Sequence, residues 1–207
     1  MRQISILIIL IVLLSFKIDN GNELNESSDP SVNSLLNKKV PHFRGYLINE
    51  SVVDETFLNN KVILLNFMFI GCQGCMQELP NLAKLQEKYL NTNFMIVTIM
   101  GNGIEDVKSY QGVGDTSKIF YQIRKMWKYE SIKNPIIAEC KSVMQTGPIN
   151  SIKTCTDNIS KSFFIGAYPT NLVVDNTGII KKRYSSLVDE KEYNDLQLQI
   201  DSLLIHK

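Results

Sequence analysis

An α/β fold built on a central mixed β-sheet flanked by helices is what this sequence predicts, on three observations. The run KVILLNFMF from Lys61 to Phe69 is continuous in apolar and β-prone residues, as a strand buried on both faces has to be. Leu79, Leu82, Ala83, Leu85, Tyr89 and Leu90 then recur at helical spacing, with Glu78, Lys84, Glu87 and Lys88 in the polar positions, and FMIVTIM from Phe94 to Met100 supplies a second buried strand. Strand, helix and strand in that order make a parallel pair with a crossover helix. Leu172-Val173-Val174 and Ile179-Ile180 flank Asp175-Asn176-Thr177-Gly178, which has turn composition, so an antiparallel hairpin completes a mixed sheet.

The remaining elements are read in the same way. SKIFYQIRKMWKY places Ile119, Phe120, Ile123, Met126 and Trp127 on one helical stripe, with Trp127 read as core, and PIIAEC reads as a short strand. At the end, Tyr193, Leu196, Ile200, Leu203 and Leu204 fall at helical spacing behind Asp189 and Glu190, acidic residues that suit a helix N-terminus. The chain has 207 residues, 44% hydrophobic and 21% charged, which are ordinary globular values for one domain plus some extra sequence. A formal net charge of +1 with both signs interspersed lacks the footprint that phosphate binding needs, so no nucleic acid partner is expected. Lys181-Lys182-Arg183, the densest basic run, reads as the solvated face of a strand.

The first residues carry a different signal. Met1-Arg2-Gln3 is positive, Ile4 to Phe16 is apolar apart from Ser5 and Ser15, and Lys17 follows. That run is short for a membrane span of about 20 residues and fits the apolar region of a signal peptide. No small-x-small cleavage site follows in Lys17-Ile18-Asp19-Asn20, so residues 1–18 read as a signal peptide or a short membrane anchor, with residues 4–16 as the tether. Residues 19–36, rich in Asn, Ser, Glu and Asp, read as a polar linker, and 37–207 as the folded domain. The expected location is therefore outside the cytosol, periplasmic or on the outer face of the cytoplasmic membrane, where paired cysteines can stay oxidised.

Four cysteines bear on that expectation. Cys72 and Cys75 open the helix that follows the first buried strand, and residues three apart share a helix face, so the pair can close a small disulfide or present two thiols. Unpaired N–H groups and the dipole of the first turn favour thiolate character at Cys72. Cys72 would attack a substrate disulfide, and Cys75, lying deeper, would attack the mixed disulfide and release the reduced product. Zinc sites use the same spacing, but a structural zinc normally wants a second CxxC or paired histidines. Cys140 and Cys155 are too far apart for that, and of the two histidines, His42 reads as a surface or hydrogen-bonded residue. No metal is expected, and no cofactor besides the redox-active disulfide itself.

This strand, CxxC-helix, strand order, with an aromatic-Pro-Thr before a hairpin and a final helix, resembles the thioredoxin-like superfamily, and within it the TlpA/ResA type of exported thiol-disulfide oxidoreductase. From about Asn37 onward, KVPHFRGYLINESVVDETFLNNKVILLNF is similar to that branch's N-terminal β extension and first core strand. CQGCMQELP matches its CxxC-x-x-E-x-P helix, and GAYPTNLVVDNTGII its Pro-Thr strand and hairpin. The resemblance implies that Pro169 is a cis proline beside the disulfide and that the Tyr168 backbone pairs with an extended substrate segment. It favours a reductant acting on apocytochrome c or other exported protein thiols and disulfides, with electrons from a membrane partner.

Departures from the pattern accompany it. Phe69-Ile70-Gly71 stands where the family usually has a Trp near the first cysteine, and Gln73-Gly74 replaces the frequent Pro between the cysteines, which puts the redox potential in doubt. Asn66 occupies the place of thioredoxin's buried Asp and cannot accept the proton of Cys75; Glu78 is titratable but fits a surface helix position equally well, and is not assigned as a base. Cys140 and Cys155 fall in an enlarged insertion before Pro169, where a structural disulfide would contribute roughly 3 kcal/mol on the chain-entropy model.

Two rivals come from other classes. A peroxiredoxin needs a P-x-x-x-T/S-x-x-C pattern, but Leu65 and Phe69 occupy the Pro and Thr positions ahead of Cys72. A Cu(I)-delivery protein would use both thiolates but usually needs a third ligand. Asn25, Asn49 and Asn158 begin N-x-S sequons, which matter only in a eukaryotic secretory pathway.

Overall fold

All seven residues of Val62–Met68 are buried, because this strand lies in mid-sheet with packed layers on both faces. The computed structural model describes residues 33–126, 132–141 and 159–205. Among the described residues seven strands form the sheet, β1 (Arg44–Leu47), β2 (Val52–Asp54), β3 (Val62–Met68), β4 (Phe94–Gly103), β5 (Ile136–Cys140), β6 (Thr170–Val174) and β7 (Ile180–Tyr184), in the spatial order β2-β1-β5-β4-β3-β6-β7. The described helices are α1 (Gln73–Lys88), α2 (Ile104–Gln111), α3 (Ile119–Met126), α4 (Ile159–Ser162) and α5 (Glu190–Ile205). The sheet is mixed: β3 runs parallel to β4 and β4 to β5, while β6, β7, β1 and β2 join antiparallel.

Side-chain alternation along β3 divides the core. Val62 and Leu64 pack with Leu82 and Leu85 of α1, with Tyr89 at its C-cap, and with Leu196 and Ile200 of α5. Ile63, Leu65 and Phe67 face the other way, onto Leu35, Phe43, Leu58, Ile159 and Phe163. Leu35, inside the stretch read as linker, is thus already part of the core. A third cluster at the C-terminal end of the parallel strands joins Met68 and Met100 to Ile104, Val107 and Tyr110 and to both Cys72 and Cys75. The crossover helix and the parallel strands follow from the apolar periods at 61–69, 79–90 and 94–100; only their ends move, with β4 running on to Gly103.

The α3 stripe is only partly covered. Phe120 packs against the third cluster, whereas Ile119, in the first turn, is exposed. Trp127, Cys155 and the apolar N-terminal segment lie outside the described residues. Among the described residues no helix is long and apolar enough to cross a membrane. Lys181 to Arg183 sit half-buried in β7, where Lys182 pairs with Asp195 at 2.8 Å.

One close approach sets the β1–β5 junction. A Cβ on Gly45 would stand 2.2 Å from Ile137 Cγ2 and 3.0 Å from Ile159 Cδ1, so no side chain fits there. Gly45→Ala is expected to cost about 1–3 kcal/mol through this overpacking, read as a fall in the urea midpoint. An unchanged midpoint would mean that the β1 edge yields freely.

Candidate active site

β3 ends at Met68, and the chain reaches α1 through Phe69, Ile70 and Gly71. Gly71 has φ +95°, a region that side chains rarely adopt, so the strand-to-helix turn needs glycine there. The Ile70 N–H donates to Asn102 Oδ1 at 2.8 Å, which ties this loop to the neighbouring strand β4, and the Cys72 N–H donates to the Phe69 carbonyl at 3.2 Å.

Cys72 is the N-cap of α1, and its Sγ accepts the Cys75 N–H at 3.2 Å. The first-turn amide that a Ser or Asp cap would satisfy is directed at sulfur here, an arrangement that favours negative charge on Cys72 once the bond opens. Cys72 and Cys75 form a disulfide with their Cα atoms 5.3 Å apart. Cys72 retains 7% exposure and Cys75 none, so of the two only Cys72 has surface open to solvent.

The Tyr168–Pro169 peptide, which leads into β6, is cis. A Cβ on Gly74 would lie 3.3 Å from Pro169 Cδ, so the proline packs directly over the residue between the cysteines and a larger residue at 74 would press on it. The Tyr168 ring stands edge-on to Phe69, with centroids 5.3 Å apart and planes at 89°. The structure thus brings Cys72, Cys75, Tyr168 and Pro169 to one end of the sheet.

Between the two places the sequence leaves open for Glu78, a surface helix position and one near the cysteine pair, the fold takes the buried one. It is fully buried, one turn along the helix from Cys75 and in the same stripe as Cys75, Leu82 and Leu85. Its carboxylate accepts Asn66 Nδ2 at 2.5 Å, Asn171 Nδ2 at 3.1 Å and the Leu187 N–H at 3.1 Å. Asn66 and Asn171 are paired neighbours on β3 and β6, and Asn66 Nδ2 also donates to Asn171 Oδ1 at 2.9 Å. Burial pushes the Glu78 carboxyl up to about 7, against the pull of those three donors. The signal was available: positions 75, 78, 82 and 85 keep the 3-4-3 spacing of a buried stripe, and Asn66 and Asn171 interrupt two otherwise apolar strands.

The other candidates fall elsewhere. Cys140 ends β5, buried, and no cysteine among the described residues is free; its expected pairing with Cys155 lies outside them. His42 is exposed and bonded to Glu55. No cluster of three or more His, Cys, Asp or Glu able to hold a metal occurs among the described residues.

A strand that runs into a CxxC helix, with a cis proline packed against the residue between the cysteines, defines a thioredoxin-like fold. Solved structures bear this out at the level of the fold. The chain is similar to the thioredoxin domain of a thiol-disulfide oxidoreductase from Bacteroides vulgatus, at TM-score 0.56 and 16% identity over 80% of this chain and 97% of that one. It is likewise similar to a thiol-disulfide isomerase from Corynebacterium glutamicum, at TM-score 0.54 and 15% identity, covering 83% and 98%. Among curated proteins, the thioredoxin-like protein YneN of Bacillus subtilis is 22% identical over 132 residues, which span 64% of this chain and 61% of that relative's length, less than two thirds of it. No family model matches the chain.

Proposed function

We propose that the protein is a thiol-disulfide oxidoreductase that exchanges disulfides with other proteins through Cys72 and Cys75. The observation that carries this reading is the Cys72–Cys75 disulfide at the start of α1, with Cys75 fully buried, Cys72 slightly exposed, and Pro169 packed against Gly74 between the two cysteines. In the reducing direction, the Cys72 thiolate attacks one sulfur of a substrate disulfide and the other substrate sulfur leaves as a thiolate. The Cys75 thiolate then attacks Cys72 Sγ, the mixed disulfide breaks, and the second substrate sulfur leaves. Two electrons pass to the substrate, and the protein ends with its disulfide closed.

The second step requires Cys75 to lose a proton in a buried site. Asn66 offers no acceptor of suitable basicity, whereas Glu78 lies one turn along the same helix face, with its carboxyl poised near neutrality. Glu78 is therefore assigned as the proton acceptor for Cys75, a role the sequence reading withheld.

The finer reading is of an exported reductant, held near the membrane by residues 4–16 or released from them, acting on apocytochrome c or other exported proteins and recharged by a membrane electron donor. Its support is the charge and apolar pattern of residues 1–17 and the resemblance of CQGCMQELP and GAYPTNLVVDNTGII to TlpA/ResA-type proteins. The test is to equilibrate the protein with glutathione or dithiothreitol buffers and trap free thiols. A potential near that of thioredoxin, about −270 mV, supports the reductant; one near −120 mV makes it an oxidant of exported thiols. Failure to cycle between dithiol and disulfide would overturn the assignment.

A further inference from the structure

Glu139 is a buried carboxylate that the exchange steps above do not use. It is 1% exposed near the end of β5, and burial pushes its carboxyl up. Its Oε1 accepts both hydrogen-bond donors of Ser160, the backbone N–H at 2.8 Å and the hydroxyl. Ser160 is itself 2% exposed. Its hydroxyl oxygen in turn accepts the Tyr168 O–H at 2.8 Å. A chain of hydrogen bonds therefore runs from a buried carboxylate through one serine to the residue immediately before Pro169.

The far end of this chain reaches the cysteine loop. The edge-on contact of the Tyr168 ring with Phe69 leaves only Ile70 and Gly71 before Cys72. Both groups also converge on β4, since a Cβ on Gly101 would be 3.6 Å from the Tyr168 hydroxyl and 3.8 Å from Phe69 Cβ. Burial of a carboxylate is costly unless it is hydrogen-bonded, and here the serine that satisfies it also presents an oriented acceptor to a half-exposed tyrosine.

We infer that Glu139 and Ser160 are positioning residues for disulfide exchange: they anchor the Tyr168 hydroxyl, so that the ring holds the Phe69 loop and the backbone on either side of Pro169 at a set separation for an incoming protein segment. This deepens the oxidoreductase reading and rests on it. The strut acts on binding of an extended polypeptide, not on sulfur chemistry. A small dithiol does not need the Tyr168 backbone and should not sense the strut.

The experiment compares wild type, Tyr168→Phe, Ser160→Ala, the double variant and Glu139→Gln, using insulin reduction in the presence of dithiothreitol. Reduction of the Cys72–Cys75 disulfide by dithiothreitol alone is followed separately. Loss of the Tyr168–Ser160 hydrogen bond corresponds to about a fivefold rise in KM for insulin in Tyr168→Phe and in Ser160→Ala. The double variant should show the same rise and no more, because both changes cut one chain. Glu139→Gln keeps an acceptor oxygen for Ser160 and should retain the wild-type KM. In all four, kcat and the dithiothreitol rate should stay within about twofold of wild type, a split that general destabilisation would not give. An active wild type with unchanged KM in Tyr168→Phe and Ser160→Ala overturns the strut, as does a dithiothreitol rate that falls in parallel or a double variant whose effects add. A wild type inert toward insulin overturns the oxidoreductase reading itself, and the strut with it.

Discussion

Exchange of Cys72 for serine is expected to reduce insulin reduction to the uncatalysed background, a loss on the order of a thousandfold or more, since the nucleophile itself is removed. Exchange of Cys75 for serine should behave differently. Cys72 remains able to attack, but nothing resolves the mixed disulfide, so covalent adducts that dissolve on reduction should accumulate on non-reducing gels. The asymmetry follows from accessibility: Cys72 retains 7% exposure and the Cys75 N–H as a donor to its sulfur, while Cys75 is fully enclosed. If Cys75→Ser turned over normally, or if adducts formed through Cys75 in the Cys72 variant, the order of attack would be reversed or the proposed activity wrong.

The Glu78→Gln variant should change two pH profiles at once. The Glu78 carboxyl is raised from its ordinary 4.5 to about 7 in the folded chain, so between those pH values the folded protein keeps a proton that the unfolded chain releases. Stability conferred by the neutral carboxyl is therefore present in full at low pH and is lost as pH rises through that window, by roughly 3 kcal/mol in total. Urea unfolding at pH 4 and pH 8, on either side of the window, should show the wild type losing this amount relative to Glu78→Gln, whose side chain does not titrate. The same variant should slow the resolving attack of Cys75 by about 10²–10⁴-fold and flatten its rise with pH near neutrality, because the proton has lost its acceptor. Parallel stability profiles in the two proteins would show that Glu78 does not titrate in this range. A resolving step of unchanged rate would remove it from the proton-transfer role.

These two expectations differ in how far the sequence could reach. Cys72 and Cys75 announced themselves by spacing at a strand-to-helix junction, and the buried strands 61–69 and 94–100 by continuous apolar character. Glu78 did not, because a glutamate in a helix is by default a solvated residue. Its burial depends on donors brought from 12, 93 and 109 positions away, on Asn66, Asn171 and Leu187. The Tyr168 anchor is of the same kind. Glu139 was read as part of the short strand PIIAEC and Ser160 only as the end of a sequon, yet the fold joins the two. The α3 stripe is the converse case, where periodicity pointed Ile119 inward and its place in the first turn left it exposed.

While β1, β2, α2 and α4 carried no period of their own, the sequence by itself determined the local items: the buried strands β3 and β4, the helix that carries the cysteine pair, the final helix, and the turn that joins β6 to β7. Those features depend on hydrophobic period and on residues within a few positions of each other, and a linear text holds that information in full. Only the tertiary structure decided which polar residues are inside, what satisfies them and which of them share the cysteine end of the sheet. The physical reason is that a buried carboxylate such as Glu78 or Glu139 is tolerable only with specific donors around it, and those donors come from strands and loops whose adjacency is created by folding.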